Sequence, residues 1–312
     1  MNIAVLIPCF NEEFTVKKVV SDFKREIPEA KIYVYDNNST DNTYQEAKNA
    51  GAIVKKEFKQ GKANVALKMF REIDADYYVM IDGDDTYPAE YVMDMIRLAE
   101  EKNADMVVGD RLSNTSYKNE NTRNFHNFGN NLVKRLINHF FQANIKDVLT
   151  GYRVFSKRFV KNYVSTIKGF ELEIDLTLYC LNYNFNIEQI PINYRNRPDG
   201  STSKLNTFSD GYKVIKLFFN MYRLYKPLNF FSFLSSILFV TGIVLGIFPI
   251  REYLYNADHY VHKVPTAIMA ISLIIISFLL FCCGLILDNL AKIDIRIFKQ
   301  NLLRYDNENT KH

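Results

Sequence analysis

The sequence predicts an α/β fold: a mostly parallel sheet domain, followed by an interfacial helix and two membrane-spanning helices. Two observations lead to this prediction. Through the first 110 residues, short runs of β-branched and aromatic residues alternate with helical patterns, as in right-handed βαβ units. Near the C-terminal end, residues 230–250 and 264–287 contain no Lys, Arg, Asp or Glu, and each run reaches the roughly 20 residues that cross the hydrocarbon layer of a bilayer.

The strands and helices of the sheet domain can be assigned in order. Apolar, β-branched and aromatic runs predict strands at 3–8, 31–35, 52–57, 77–81, 105–110 and 187–194. Helical patterns occur at 13–26, 61–73, 88–102, 123–142 and 171–183. One more helix is expected to begin at Thr40 or Asp41 and to end at Gly51. Gly151, Tyr152 and Arg153 are expected in a turn before another short helix.

Changes in composition along the chain predict its division into segments. Residues 211–229 mix basic residues with Phe, Tyr, Leu and Ile, which is typical of a helix in the membrane interface, although an amphipathic helix packed on the domain is the alternative. For the two apolar runs, the alternative is a buried hairpin in a soluble core. The expected segments are a sheet domain at 1–210, an interfacial segment at 211–229, spans at 230–250 and 264–287, an external loop at 251–263 and a cytoplasmic tail at 288–312.

The distribution of basic residues predicts that both chain ends are cytoplasmic. The loop at 251–263 carries only Arg251 and Lys263 as Lys or Arg. Basic residues are concentrated in the flanks outside the two spans, at Lys213, Lys216, Arg223, Lys226, Lys292, Arg296, Lys299 and Arg304. Because positive flanks stay inside, we expect a multi-pass protein of the plasma membrane with its sheet domain in the cytoplasm.

Composition and charge exclude other classes. The net charge of +4 is too small to indicate nucleic-acid binding. Two of the four cysteines, Cys282 and Cys283, lie inside an apolar run, and no zinc-type spacing occurs, so we expect a reducing compartment. Met1 leads directly into a strand without a basic region or a long apolar run, so no signal peptide is expected.

The residues most informative for chemistry are Asp82-Gly83-Asp84, directly after the predicted strand at 77–81. Ligands of mostly parallel sheets bind at the carboxyl ends of the strands. Mg²⁺ is typically held by one or two carboxylates together with substrate phosphates. We therefore predict that Asp82 and Asp84 bind Mg²⁺ or Mn²⁺ against a diphosphate; the alternative is a solvated turn with capping aspartates.

Two other strand ends carry polar residues. Asp36 ends the second predicted strand and is a candidate to contact a base or ribose, although an Asx turn or a helix cap would use the same residue. Residues 8–13 follow the first strand, where the alternative is a turn with carboxylates at a helix N-terminus. The basic loop at 195–204 is a candidate phosphate site.

Residues 8–13, 36–41 and 82–84, in this order, resemble the motifs of family 2 glycosyltransferases, which have the GT-A fold. Further motifs narrow the resemblance to the polyprenyl-phosphate glycosyltransferases, relatives of dolichyl-phosphate mannose synthase. They are Gly109-Asp110-Arg111, Thr150-Gly151-Tyr152-Arg153, the loop at 195–204 and the two apolar runs. The resemblance covers nearly the whole chain and is weakest after Leu287.

The resemblance implies roles for individual residues. The nucleotide sugar would be bound by Pro8, Asn11, Glu13, Asp36 and Asp82, with Asp82 and Asp84 as metal ligands and catalytic residues. The candidates for the acceptor phosphate are Arg111, Arg123, Arg153, Arg197 and Lys204. Asp147 is a catalytic candidate that would orient the acceptor, or else an ordinary loop or helix-end residue. Glu171 and Glu173 are candidates to face the sugar.

The chain departs from the family pattern at two places. Relatives often have two acids where this chain has Asp36 and Asn37. Many have Gln two residues after the second metal-binding Asp, where this chain has Thr86, with an additional acid at Asp85. The identity of a third protein ligand is therefore left open.

The function implied by the resemblance is an inverting transfer of a hexose or N-acetylhexosamine from a nucleotide sugar, UDP-linked in the leading hypothesis, to polyprenyl (undecaprenyl) phosphate at the cytoplasmic membrane face. A polysaccharide-chain glycosyltransferase is disfavoured, because the chain has no Trp for the Gln-x-x-Arg-Trp motif of processive synthases. An inactive transferase-like scaffold or partner subunit is the alternative from another class. Self-association into a homo-oligomer is left open.

Overall fold

The computed structural model of the chain describes residues 1–114, 124–165, 172–198, 216, 219–220, 222–255 and 260–309. The chain divides into two units, Met1–Ile215 with Leu302–His312, and Lys216–Asn301. The first unit holds the sheet, and the second holds most of the two apolar helices.

The strands of the first unit, over the described residues, are β1 (Ile3–Cys9), β2 (Lys31–Asp36), β3 (Ile53–Lys56), β4 (Tyr77–Met80), β5 (Met106–Asp110), β6 (Arg153–Ser156) and β7 (Ile187–Pro191). The helices are α1 (Val16–Glu26), α2 (Thr43–Asn49), α3 (Lys62–Glu72), α4 (Val92–Lys102), α5 (Asn124–Phe141), α6 (Lys157–Asn162) and α7 (Leu172–Tyr183). Strands and helices alternate through the first 110 residues as the sequence predicts.

The strands form one seven-stranded sheet in the order β3-β2-β1-β4-β6-β5-β7. All neighbouring pairs are parallel except those of β6, which runs antiparallel to β4 and β5. The mostly parallel α/β fold that the sequence predicts is therefore confirmed.

The core lies on both faces of the central strand β1. Residues Ile3 to Ile7 are each at most 1% exposed, as expected for a strand that is covered by helices on both sides. α1 buries Val16, Val19, Val20 and Phe23, which lie on one stripe of a helix. Each such buried side chain stabilises the fold by about 1.5–3 kcal/mol.

β6 corrects the expectation of a turn at Gly151, Tyr152 and Arg153. Arg153 is the first residue of this strand and pairs with Met80 of β4 and Val108 of β5. The strand is only four residues long and begins with a charged residue, so its local pattern does not indicate a central strand. Its insertion next to β4 places the segment that precedes it beside the loop that follows β4.

The apolar helices are α8 (Pro227–Tyr255) and α9 (Val264–Asn309). Both are long and apolar enough to cross a membrane, as the sequence predicts. Two contacts show that the helices pack closely. Ser235 Oγ donates to the Ser277 carbonyl at 2.8 Å, and a Cβ at Gly242 would lie 3.1 Å from the Ala270 carbonyl oxygen. Small residues at such contacts are typical of membrane helix pairs.

Both helices differ in extent from the predicted spans. α8 begins at Pro227, inside the predicted interfacial segment, of which residues 211–215, 217–218 and 221 lie outside the described residues. α9 continues through the predicted tail to Asn309. No Gly or Pro interrupts the chain between Gly284 and Asn309, and Asp288 pairs with Lys292 one turn later at 2.7 Å.

Candidate active site

The polar residues predicted for the site follow three adjacent parallel strands. β1 lies between β2 and β4, and Cys9 at the end of β1 pairs with Asp36 at the end of β2. Since the three strands point the same way, the loops that follow them meet at one edge of the sheet. This carboxyl edge is the candidate active site.

The loop after β4 is held in one conformation by buried contacts. Asp84 is only 5% exposed and accepts from Thr86 Oγ1 at 2.6 Å. The Gly83 carbonyl accepts from Thr15 Oγ1 at 2.6 Å. A Cβ at Gly83 would lie 2.6 Å from Cys9 Sγ, so only glycine fits between this loop and β1.

Lys62, at the start of α3, holds Asp82. Its Nζ forms an ion pair with Asp82 Oδ1 and a second with Glu173 Oε1 at 2.5 Å. Burial lowers the pKa of Lys62, but the two carboxylates outweigh this effect and the net pKa is raised. The Lys62 ammonium group is therefore charged, and it bridges the carboxylates of Asp82 and Glu173.

Asp82 is confined on its other side by Gly151. A Cβ on Gly151 would collide with Asp82 Oδ2. The Gly151 backbone N–H donates to Tyr87 Oη at 3.0 Å. The carboxylate of Asp82 therefore lies between the side chain of Lys62 and the backbone of Gly151.

Arg197 lies against the second carboxylate of the pair. Its Nη2 is 2.5 Å from Asp84 Oδ2. Burial and the nearby Asp82 raise the pKa of the Asp84 carboxyl, whereas Arg197 opposes this shift. Arg197 is held close because Arg195 donates its backbone N–H to the Thr86 carbonyl at 2.9 Å.

Arg111 and Asp147 form a buried, two-pronged ion pair. Arg111 Nε donates to Asp147 Oδ2 at 2.7 Å and Nη2 donates to Oδ1 at 3.1 Å. The guanidinium carbon lies 5.8 Å from the centre of the Tyr87 ring and 5.5 Å from that of Tyr194. Burial raises the pKa of Asp147, but Arg111 outweighs it and the net pKa is lowered.

The position of Arg153 does not support its expected contact with an acceptor phosphate. Arg153 is fully buried in β6. Its guanidinium donates to the Val148 carbonyl at 2.7 Å, the Thr150 carbonyl at 3.1 Å and Thr177 Oγ1 at 3.0 Å. A guanidinium that is enclosed in this way stabilises the 148–150 segment and is not accessible to a ligand.

The residues predicted to bind the nucleotide also connect two loops. Asn11 has a left-handed backbone with φ of 53°, and its Oδ1 accepts from the Thr40 N–H at 2.8 Å. Glu13 Oε2 accepts from the Asn42 N–H at 3.0 Å. These bonds join the loop after β1 to the loop after β2.

Asp36 and Pro8 lie at the same edge. Asp36 is 1% exposed, and its Oδ1 accepts from the Ser39 N–H at 3.2 Å. This bond belongs to a local Asx-type turn, the alternative role that the sequence suggests for Asp36. Pro8 is the next-to-last residue of β1 and is half-buried. The structure thus brings Pro8, Asn11, Glu13 and Asp36 together around one pair of loops.

Three predicted residues cannot be placed. Arg123, Lys204 and Glu171 lie outside the described residues. The expectations that Arg123 and Lys204 contact the acceptor phosphate and that Glu171 faces the sugar therefore stay predictions.

The residues present fit a divalent cation held partly by substrate. Asp82 and Asp84 provide two carboxylates, and the side chain of Asp85 turns instead to Lys18 at 2.6 Å. Within the described part of the chain, no group of three or more His, Cys, Asp and Glu could enclose a metal ion. This donor set matches Mg²⁺, which usually takes one or two carboxylates and completes its shell with phosphates and water.

Two residues at the site were not singled out from the sequence. Lys62 follows Gly61 at the start of a helix in the βα series, and that position marks a possible phosphate contact. Tyr87 has no comparable sequence pattern, because its role depends on partners at Arg111 and Gly151.

Several known proteins are similar to this chain in sequence. Residues 4–164 match the family model described as Glycosyl transferase family 2. The chain is 53% identical over 113 residues to protein RfbJ of Shigella flexneri, covering 36% of this chain and 88% of that protein. It is 27% identical over 215 residues to a dolichyl-phosphate hexose transferase of Haloferax volcanii, covering 69% and 91%.

The fold is similar to that of a solved enzyme. Glucosyl-3-phosphoglycerate synthase from Mycobacterium tuberculosis, in complex with Mn²⁺, UDP and glucosyl-3-phosphoglycerate, superposes with a TM-score of 0.57 at 18% identity. The match covers 70% of this chain and 79% of that chain. At this identity the likeness concerns the fold alone.

Proposed function

The chain belongs to glycosyl transferase family 2, and from this premise we propose that it transfers a hexose or N-acetylhexosamine from a UDP-linked sugar to a polyprenyl phosphate. The transfer would invert the anomeric carbon, and in a bacterium the lipid would be undecaprenyl phosphate. The observation that carries the proposal is the pair Asp82 and Asp84 at the carboxyl edge of a transferase domain whose chain also has two apolar helices.

The donor side of the site is suited to a nucleoside diphosphate. Asp82 and Asp84 would hold Mg²⁺ or Mn²⁺, which offsets negative charge on a departing diphosphate. Lys62 and Arg197, each paired with one of these carboxylates, keep two further positive charges at the same edge. The similar synthase that binds Mn²⁺ and UDP supports this assignment.

The acceptor side is suited to a phosphate nucleophile. A phosphate monoester has a second pKa of about 6, so it is largely ionised at neutral pH and needs no strong general base. Asp147 is fully buried in its pair with Arg111, so this carboxylate is not available as a general base, which such an acceptor does not require. We therefore propose that Asp147 positions Arg111 and does not remove a proton.

Arg197 is our candidate for contact with the acceptor phosphate. Its side chain is 29% exposed at the edge of the site, in contrast to the enclosed Arg153. A guanidinium offers two parallel donors that match two phosphate oxygens. The named activity of the Haloferax volcanii relative, a dolichyl-phosphate hexose transferase, supports a polyprenyl-phosphate acceptor.

A membrane assay tests the proposed function. We expect membranes that contain the protein to transfer label from one of a panel of radiolabelled nucleotide sugars to material in the lipid extract. Membranes with Asp82→Asn provide the matched control. Label that appears only in polysaccharide would favour a polysaccharide-chain glycosyltransferase. Absence of both transfer and metal-dependent UDP binding would favour an inactive scaffold or partner subunit.

The proposed orientation places the catalytic unit and both chain ends in the cytoplasm. Asp306 near the end of α9 pairs with Arg158 of the sheet domain at 3.0 Å, and residues Leu302–His312 belong to the same unit as that domain. This contact supports the proposal that the end of α9 and the catalytic site share one side of the membrane.

Cysteine labelling in intact cells tests this orientation. A membrane-impermeant thiol reagent is expected to modify His262→Cys, in the loop between the helices, without permeabilisation. It should modify Leu303→Cys, whose parent side chain is 62% exposed, only after the cells are permeabilised. The wild-type chain, with four native cysteines, gives the background. Labelling of Leu303→Cys but not His262→Cys in intact cells would reverse the topology.

A further inference from the structure

Tyr87 lies where two parts of the site meet. It is 6% exposed and follows the loop that carries Asp82 and Asp84. Its Oη accepts from the Gly151 backbone N–H at 3.0 Å and from Arg111 Nη1 at 3.2 Å. One hydroxyl oxygen therefore joins two segments that are 40 residues apart in the chain.

Each of these partners is in contact with a carboxylate of the site. Gly151 lies against Asp82 so closely that a Cβ there would collide with Oδ2. Arg111 holds Asp147 through Nε and Nη2, which leaves Nη1 directed at Tyr87. The chain of contacts therefore runs from Asp147 through Arg111, Tyr87 and Gly151 to Asp82.

The ring of Tyr87 is fixed by neighbouring aromatic residues. Its centre is 5.8 Å from that of Tyr152 and 5.6 Å from that of Tyr194, both in edge-to-face geometry. Such packing restricts the ring, so the position of Oη is set by contacts that do not depend on the hydroxyl. The hydroxyl can then fix the distance between Gly151 and the carboxylate beside it.

We propose that Tyr87 is a positioning residue, whose hydroxyl holds Gly151 against Asp82 and thereby sets the orientation of that carboxylate for a metal-bound nucleoside diphosphate. Through Arg111, the same hydroxyl links the acceptor side of the site to the donor side. This inference rests on the proposed function, because its readout is the binding of a metal–nucleotide pair.

The chain offers a matched control for this proposal. Tyr152 is fully buried and packs against Tyr87, and within the described residues its hydroxyl has no hydrogen-bond partner. Tyr87→Phe and Tyr152→Phe each remove one buried hydroxyl from adjacent rings. Only the first removes a link to Gly151 and Arg111.

The test measures binding of Mn²⁺ with UDP to the purified full chain in detergent, by calorimetry and by Mn²⁺ paramagnetic resonance, together with the unfolding temperature. We expect Tyr87→Phe to weaken Mn²⁺–UDP binding by about tenfold or more, as for other residues that orient a metal ligand. Tyr152→Phe should bind within about twofold of wild type, since its hydroxyl makes no bond that could be lost.

Gly151→Ala tests the same link from the other end. The added methyl group would push Asp82 aside while the ring and hydroxyl of Tyr87 remain, so the affinity for Mn²⁺–UDP should again fall by about tenfold. If Tyr87→Phe does not fold, wild-type affinity in Gly151→Ala would still show that the contact between residue 151 and Asp82 does not set the site.

Equal affinities for Tyr87→Phe and Tyr152→Phe, or wild-type affinity in Gly151→Ala, would overturn the inference while leaving the proposed function intact. Failure of the wild-type chain to bind Mn²⁺–UDP at all would overturn the proposed function and the inference with it.

Discussion

Asp82→Asn and Asp84→Asn are each expected to lower sugar transfer by at least about 100-fold, because each removes one of two carboxylates proposed to hold the divalent cation. Both variants should fold. Lys62 keeps its ion pair with Glu173 when Asp82 is neutral, and Thr86 Oγ1 can still bond residue 84. Transfer of labelled sugar into the lipid extract measures the effect, and excess EDTA should reproduce it in the wild-type protein.

The third aspartate of the run provides the matched control. Asp85 has a left-handed backbone with φ of 57°, a conformation that Asn adopts readily, and its side chain turns to the half-exposed Lys18. Asp85→Asn therefore makes the same chemical change one residue away and should retain wild-type transfer. Full turnover by Asp82→Asn or Asp84→Asn in excess chelator would show that this pair does not hold a metal.

Asp147→Asn is expected to cause the largest loss of stability. The change leaves the Arg111 guanidinium buried without its counter-charge, since the two side chains are only 7% and 0% exposed. Loss of one partner of a buried ion pair costs about 3–5 kcal/mol, which corresponds to a fall in Tm on the order of 10 °C for a domain of this size. Thermal unfolding of the purified full chain in detergent measures it.

Two further variants distinguish the loss of stability caused by breaking the buried ion pair from the effect of removing an exposed charge. Asp94→Asn removes one partner of the exposed Arg97–Asp94 pair, at 3.5 Å, and should change the free energy of unfolding by less than about 1 kcal/mol. The double variant Arg111→Met with Asp147→Leu leaves no unpaired charge, so it should recover much of the lost stability. A Tm for Asp147→Asn equal to that of wild type would contradict a stabilising role for this pair.

The parts of the fold that the sequence predicts are those with strong local patterns. β1 and β4 are continuous apolar runs, and helical patterns separate the early strands, so this alternation alone indicates parallel βαβ units. The two apolar helices follow from length and composition in the same way. By contrast, β6 has four residues and begins with Arg153, and such a strand is stabilised by its neighbours β4 and β5.

The residues of the candidate site also differ in whether the sequence alone identifies them. Asp82 and Asp84 are recognisable because they follow a buried strand directly, and the strand itself places them at the ligand-binding edge. The arginines are not distinguishable in this way. Arg153 and Arg197 both belong to polar motifs of the sequence, yet one is enclosed in the sheet and the other lies against Asp84.

The sequence by itself therefore determined the family resemblance, the parallel α/β fold, the two apolar helices and the carboxylate pair, because these depend on residue type and short-range spacing. The tertiary structure alone decided which charged groups meet. Lys62 and Glu173 are 111 residues apart and Arg111 and Asp147 are 36 apart. No local pattern encodes such pairs, since the energy of a buried charge depends on the partners that folding brings to it.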